Sequence, residues 1–239
     1  LRAPVLPRRR APQDAPLDAV AAPDGTELFF CATGRPELPD WRADFENTGV
    51  PPAQTGVRGM DHLALTQPWH HFDEAALFHL GVLGLHAQES VDVADPYGLM
   101  RSRAVTNPDG SVRIALTVGA APTDDTVHAQ HIALATDDVV AAARRFREAG
   151  GSLLPVPANY YDDLAARFEF ADGELETYRD LGILYDRDDH GVFRHCYTRT
   201  VGRVFFELVQ RDGGYRGYGA ANAPVRLAAQ HTARALTGG

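Results

Sequence analysis

The sequence is poor in cysteine and in positive charge, and both scarcities limit what the protein can be. Its two cysteines, Cys31 and Cys196, are too few for a disulfide framework among 239 residues, so a reducing cytoplasm is the expected compartment. Lysine and arginine together number 23 against 32 aspartates and glutamates, which gives a formal net charge of −9. This charge argues against nucleic acid and anionic membrane surfaces as partners.

Long apolar runs are also lacking. No stretch of 18 consecutive apolar residues occurs, so the sequence predicts no membrane-spanning helix. Hydrophobic residues still make up 44% of the chain and charged residues 23%, values that are ordinary for a folded globular protein. The chain begins at Leu1 instead of methionine, and its first residues contain no hydrophobic signal core. We therefore expect a fragment of a longer polypeptide.

An internal repeat indicates duplicated structural units. Ala19–Thr26 matches Ala104–Ser111 at an offset of 85 residues, and both segments contain Pro-Asp-Gly. This tripeptide favours a hairpin turn, because proline presets φ and glycine accepts a positive φ. From residue 57, the spacing of apolar residues predicts strand–helix–strand–strand–strand twice, with two short helices inserted in the second unit. The sequence therefore predicts an α+β fold, in which paired βαβββ modules form a curved mixed sheet shaped like a cup.

The same repeat predicts the domain organisation. Residues 57–239 are expected to form one domain, with units over about 57–119 and 127–211 followed by a C-terminal helix. Residues 1–56 match only the closing hairpin of such a unit and a linker. We therefore expect them to be the remnant of a preceding, incomplete module.

Two histidines and one glutamate occupy corresponding places in the predicted strands. Because alternate residues of a strand face opposite sides of a sheet, His62 and His131 are expected beside small alanines on the concave side. Glu207 is expected on the same side of the last strand, within the apolar sequence FFELV, where an unpaired charge is costly. Two histidines and one carboxylate form the ligand set of non-haem Fe(II) oxygenases. The pattern predicts a divalent-metal site, with Fe(II) expected and Mg, Mn, Co or Zn also compatible.

Simpler interpretations of these residues remain open at this point. A lone strand histidine is usually an ordinary core or surface residue, and Glu207 has Arg113 and Arg199 as alternative partners. His128 is expected to point away from His131, because three positions separate them on one strand. The remaining histidines fall in predicted loops or helices and are expected to be solvated: His70, His71, His79, His86, His190 and His231.

Several segments of the second unit resemble 4-hydroxyphenylpyruvate dioxygenase, a family of the vicinal-oxygen-chelate superfamily that is built from βαβββ units. The matching motifs are Gln130–Asp138, Asn159–Asp162, Gly182–Asp188 and Phe205–Arg211. The resemblance covers about 57–230 and implies that His62, His131 and Glu207 hold Fe(II). In that family the metal is chelated by the α-keto acid of the substrate and reacts with O2, and the ring of the substrate is hydroxylated.

The chain departs from this family where the substrate should bind. The family has glutamine in place of His195, asparagine near Thr117 and a phenylalanine in place of Ala223, which closes an aromatic pocket. Other segments are similar to the C-terminal half of bacterial two-domain 3-dehydroshikimate dehydratases: Asp95–Ala104, Pro157–Phe168 and Tyr218–Gln230. In those proteins an N-terminal barrel performs the dehydration to protocatechuate, and nothing in this chain resembles that barrel.

These resemblances lead to one hypothesis and two alternatives. The hypothesis is an Fe(II)-dependent dioxygenase-like domain acting on an aromatic or cyclic oxyacid or α-keto acid. The alternatives are a non-catalytic domain that supports an associated dehydratase barrel, and a glyoxalase-like enzyme that uses its metal as a Lewis acid. His195 is the expected proton donor, and the expected substrate contacts are Thr117, Tyr197, Arg199, Gln210 and Asn222. Whether the chain forms a homo-oligomer is left open by the sequence.

Overall fold

The structure is a computed structural model that describes residues 3–12, 14–15, 17–32, 35–37, 40–51, 53–95, 98–119 and 130–237. Its strands are β1 (Val5–Leu6), β2 (Asp18–Ala21), β3 (Glu27–Phe30), β4 (Val57–Thr66), β5 (His86–Asp95), β6 (Gly98–Thr106), β7 (Arg113–Val118), β8 (Gln130–Thr136), β9 (Leu184–Arg187), β10 (Gly191–Tyr197) and β11 (Val204–Gly213). Its α-helices are α1 (Phe72–Gly81), α2 (Val139–Glu148), α3 (Ala158–Arg167), α4 (Glu174–Leu181) and α5 (Ala223–Thr237). Short 3-10 helices occupy Trp41–Asp44, Trp69–His71 and Ala220–Asn222.

Eight of the strands form one mixed sheet in the order β5-β6-β7-β4-β8-β11-β10-β9. The first βαβββ unit supplies β4 to β7 and α1, and the second supplies β8 to β11 with α2, while α3 and α4 are inserted in the second unit. The units meet where β4 pairs antiparallel with β8, whereas β4–β7 and β8–β11 are parallel pairs. This arrangement confirms the predicted α+β fold of paired modules.

Helices α1 and α2 pack on the convex side of the sheet, as the alternation of apolar residues predicts. Phe72 and Ala76 of α1 form a buried cluster with Val105 and Leu116 of the first unit. Helix α2 begins after Asp138, whose Oδ1 accepts a hydrogen bond from the backbone N–H of Ala141 at 2.9 Å and so caps the helix. These helices leave the concave side of the sheet free for other groups.

The sheet curls far enough for its two ends to approach a common element. The 3-10 helix Ala220–Asn222 contacts both β5 and β9, the two edge strands, and α5 also packs against β5. On its other side, α5 packs with Val225 and Ala229 against the core of the second unit. The segment from Ala220 to the end of α5 therefore lies across the open side of the cup.

The N-terminal segment forms a separate antiparallel sheet of β1, β2 and β3. Both predicted Pro-Asp-Gly turns are present, with positive φ at Gly25 (83°) and Gly110 (71°), where only glycine is readily accommodated. The origin of residues 1–56 as the remnant of a further module stays a prediction. His128 and the predicted linker after Gly119 lie outside the described residues.

One histidine differs from its sequence-based prediction. His79 on α1 is buried, and its Nδ1 donates to the carbonyl of Ala75 at 2.7 Å. The prediction of a solvated His79 was wrong because this face of α1 turns towards the protein interior. In the described part of the chain, no helix combines the length and apolar character that crossing a membrane requires.

Candidate metal centre

The three predicted metal ligands lie on three neighbouring strands and converge on the concave side of the sheet. His62 lies on β4, His131 on β8 and Glu207 on β11. The Nε2 atoms of the two histidines are 3.3 Å apart, and each lies 3.2 Å from Oε2 of Glu207. The repeat thus brings together three side chains that are remote in sequence.

The donor set and its spacing fit a divalent metal ion. Neighbouring donors around an octahedral ion with bonds of about 2.1 Å are about 3 Å apart, close to the distances between these three atoms. Glu207 is fully buried, and its Oε2 has no well-aligned hydrogen bond within the described residues. Such an atom needs a cationic partner. Two imidazoles and one carboxylate also leave one face of an octahedron open for substrate.

A β-bulge next to His62 brings an additional carboxylate to the site. Met60 and His62 pair with the adjacent residues Leu134 and Ala133 of β8, so Asp61 is the extra residue of the bulge. Because the bulge breaks the alternation of faces, both Asp61 and His62 point into the concave side and are buried. Oδ1 of Asp61 lies 2.7 Å from Nδ1 of His62 and fixes the orientation of the ring.

A chain of hydrogen bonds holds Glu207 from behind. Its Oε1 accepts from Nδ1 of His195 at 2.6 Å, and Nε2 of His195 in turn accepts from Nδ2 of Asn222 at 3.1 Å. Asn222 also donates to the carbonyl of Tyr185 at 3.0 Å and accepts from the Tyr160 hydroxyl at 2.9 Å. Both ring nitrogens of His195 are occupied, with Nδ1 towards the carboxylate and Nε2 towards the amide of Asn222.

Electrostatics within the cluster favour one bound proton when no metal is present. Burial opposes protonation of His62, but attraction by Glu207 and the hydrogen bond to Asp61 outweigh it and raise its pKa to about 9. Burial lowers the pKa of His131 to about 4. Burial also disfavours the charged form of Glu207, but the charge of His62 and hydrogen bonds from the histidines hold its pKa well below the usual range. A divalent cation bound to these groups would replace the proton on His62.

Four of the six residues predicted to act on or contact substrate lie near the cluster. Tyr197 and Thr117 face the concave side, where the ring of Tyr197 lies 5.9 Å from that of His131 between centroids and the Thr117 hydroxyl lies 3.3 Å from that of Thr66. His195 and Asn222 are buried behind Glu207, where Nδ1 of His195 donates to the carboxylate.

The other two predicted contacts are not brought to the cluster. Arg199 follows the end of β10, with an exposed side chain. Gln210 lies on the opposite face of β11 from Glu207, where its Oε1 accepts from the backbone N–H of Val139 at 3.0 Å, at the start of α2. Three positions separate Glu207 from Gln210, so strand alternation itself directs Gln210 towards the helices.

Two further residues of the site were missed by sequence reasoning. Arg211 binds Asp61 through two hydrogen bonds of 2.8 Å, and its alternation with Glu207 could have identified it. The ring of Tyr218 meets that of His62 edge-on at 5.3 Å between centroids, and its hydroxyl is buried without a hydrogen bond to the described residues. Tyr218 lies in the loop between β11 and the 3-10 helix Ala220–Asn222, so no periodic signal pointed to it.

The sequence of this chain is similar to known proteins. The family model described as Glyoxalase/Bleomycin resistance protein/Dioxygenase superfamily matches residues 59–192. The chain is 39% identical over 234 residues to 3-dehydroshikimate dehydratase of Pseudomonas putida, covering 93% of this chain and 37% of that protein. It is 31% identical over 182 residues to 4-hydroxyphenylpyruvate dioxygenase of Pseudomonas aeruginosa, covering 70% of this chain and 50% of that protein.

The structure of this chain is also similar to solved structures. A xylose isomerase-like TIM barrel/4-hydroxyphenylpyruvate dioxygenase fusion protein is similar with a TM-score of 0.82 and 36% identity, over 98% of this chain and 38% of that chain. A mutant of 4-hydroxymandelate synthase from Streptomyces coelicolor is similar with a TM-score of 0.74 and 25% identity, over 97% and 69% of the two chains. The chain thus spans well under half the length of the dehydratase and of the fusion protein. Both resemblances found in the sequence motifs are confirmed, and the chain belongs to the glyoxalase/bleomycin resistance protein/dioxygenase superfamily.

Proposed function

We propose that this chain is a metal-dependent oxygenase domain that binds Fe(II) through His62, His131 and Glu207. Its substrate would be an aromatic or cyclic oxyacid or α-keto acid. The observation that carries the proposal is the convergence of two Nε2 atoms and one carboxylate oxygen within 3.3 Å on three adjacent strands. The similarity to 4-hydroxyphenylpyruvate dioxygenase supports the choice of metal and reaction class.

The residues of the chain would prepare this site in distinct ways. Asp61 orients His62, and His195 orients Glu207, so the open coordination face has a fixed direction. Phe193 and Phe205 are buried on the concave side and exclude water from the cluster. Bound Fe(II) would supply chelation of a keto acid and reaction with O2. Tyr197 and Thr117 would offer hydroxyl groups to the bound acid.

Anaerobic reconstitution with Fe(II), followed by measurement of O2 consumption with a set of aromatic α-keto acids, tests this proposal. We expect consumption that requires both Fe(II) and a keto acid and that is lost in Glu207→Ala. The matched control is Glu74→Ala, which removes an exposed glutamate paired with His71 at 2.8 Å. Absence of O2 consumption with every acid would refute the oxygenase assignment, and turnover with Zn²⁺ would favour Lewis-acid chemistry instead.

A second candidate is a supporting domain of a 3-dehydroshikimate dehydratase. The observation that favours it is the match to dehydratase relatives over 93% of this chain but only 37% of the relative. In that case the metal site would stabilise a domain that packs on an associated barrel. The test is dehydration of 3-dehydroshikimate by the native polypeptide that carries this chain, with and without residues 57–239. Loss of dehydration on deletion, together with no O2 consumption by the intact protein, would favour the supporting role.

A further inference from the structure

The guanidinium group of Arg226 lies against two aromatic rings that border the candidate metal centre, those of Tyr197 and Phe205. Its Cζ atom lies 5.6 Å from the ring centroid of Tyr197 and 5.7 Å from that of Phe205. Both rings contact His131, at centroid distances of 5.9 and 5.0 Å respectively. Arg226 is therefore one side chain removed from a predicted metal ligand, on the helix that lies across the open side of the cup.

The positive charge of Arg226 has no carboxylate partner among the described residues. Its one hydrogen bond to that part of the chain goes to the neutral Oε1 of Gln230, at 2.8 Å. By contrast, Arg211 on the other side of the cluster is paired with Asp61. A guanidinium group offers five N–H donors and binds a carboxylate through two of them, so most donors of Arg226 remain available.

The position of Arg226 on α5 also leaves room for a ligand. It lies in the first turn of the helix, where the helix dipole disfavours a cation, so its charge does not serve helix stability. Ala223, the first residue of the helix, lies three positions before Arg226 and is therefore on the same side of the helix. A small side chain at this position leaves space next to the guanidinium group.

We propose that Arg226 binds a carboxylate group of the substrate and selects for cyclic acids over their neutral analogues. The inference rests on the proposed function, because it takes the His62, His131 and Glu207 cluster as the place where substrate binds. The carboxylate would lie against the guanidinium group, on the faces of Tyr197 and Phe205. Substrate would thus be held at two places, the metal and Arg226.

Calorimetric titration with a matched pair of probes tests this assignment. Catechol and 3,4-dihydroxybenzoate both offer vicinal oxygens to a metal and differ only in the carboxylate. For the Co(II)-loaded wild type, we expect 3,4-dihydroxybenzoate to bind about tenfold more tightly than catechol. Arg226→Met keeps a long side chain over the rings but has no charge, so the ratio should fall to about one while catechol affinity stays unchanged. Arg226→Lys should retain part of the preference.

Two further variants make the result specific. Arg167→Met is the matched control, because Arg167 also lies over an aromatic ring, that of Phe168 at 5.0 Å, and its guanidinium group is paired with Asp163 at 3.2 Å on the same helix; it should keep the full ratio. If Arg199→Met abolished the preference and Arg226→Met did not, the carboxylate would belong to Arg199 and the inference would be overturned. Wild type that binds both probes equally, or binds neither, would overturn it as well.

The metal-free protein separates this inference from the proposed function. If Co(II) fails to bind at all, the proposed metal chemistry is refuted. Metal-free wild type should still prefer 3,4-dihydroxybenzoate over catechol, and Arg226→Met should lose that preference. Persistence of the preference in metal-free Arg226→Met would refute the role of Arg226, whether or not Co(II) binds to the protein.

Discussion

Asp61 and Arg211 form a buried two-point ion pair, with Arg211 Nε 2.8 Å from Oδ2 and Nη2 2.8 Å from Oδ1 of Asp61. The same Oδ1 contacts Nδ1 of His62 at 2.7 Å. Burial disfavours the charged form of Asp61, but hydrogen bonds from Arg211 and His62 hold its pKa well below the usual range. The pair therefore maintains a carboxylate that directs Nε2 of His62 towards Glu207.

Asp61→Asn should weaken metal binding about 10- to 100-fold, because the amide holds the imidazole less firmly and without negative charge. Competition for Co(II) with a chromophoric chelator measures this change. The control is Asp92→Asn, which alters an exposed two-point pair with Arg101 and should leave metal affinity unchanged. Equal affinity of Asp61→Asn and wild type would show that Asp61 does not support His62.

Metal removal should lower thermal stability. A site saturated at 100 times its Kd adds about 2.7 kcal/mol to the free energy of unfolding, which corresponds to about 5–10 °C in Tm for a chain of this size. Calorimetry with Co(II) and with a chelator measures the difference. Glu207→Ala should show no metal-dependent shift and should retain no stoichiometric metal by elemental analysis, whereas Glu74→Ala should behave like wild type. Full metal retention in Glu207→Ala would remove Glu207 from the ligand set.

His79 should make stability fall in mild acid. Burial lowers its pKa below the ordinary 6.5. Just below pH 6.5, His79 is therefore protonated in the unfolded chain but still neutral in the folded chain. The free energy of unfolding should therefore decrease as pH falls below about 6.5 and level off below the lowered folded pKa. Urea denaturation of metal-free protein at pH 7.5 and 5.5 should show a larger loss in wild type than in His79→Asn, which has no titratable group there. Identical losses would contradict the prediction.

Asn222→Ala should destabilise the protein by about 1–3 kcal/mol, because it leaves the buried Nε2 of His195 without a donor and removes one of the two donors to the Tyr185 carbonyl. Urea denaturation measures the change. Asn47→Ala is the comparison, since Asn47 is exposed and, within the described residues, accepts only from the backbone N–H of Gly49 at 2.9 Å. Its effect should stay within about 0.5 kcal/mol. A similarly small effect of Asn222→Ala would mean that water replaces the amide.

The sequence-based predictions that agree with the structure rest on local patterns, namely strand alternation, the internal repeat and turn residues. Strand alternation and the repeat placed His62, His131 and Glu207 on one face, and Pro-Asp-Gly predicted both hairpin turns. The same alternation, applied strictly, places Gln210 on the face of β11 opposite Glu207. It fails at Asp61, because the bulge adds one residue to β4 and turns two consecutive side chains to the same side.

The sequence by itself determined the paired βαβββ modules and the three side chains that converge, because periodicity and duplication are written in the order of residues. Only the tertiary structure decided which other groups contact these three side chains. Arg211 reaches Asp61 across 150 positions, His195 lies behind Glu207, and Arg226 reaches the ring of Phe205 beside the cluster from a helix that follows the sheet. Each of these contacts depends on how far the sheet curls and on where α5 crosses it. These are properties of packing between distant segments, which no local pattern encodes.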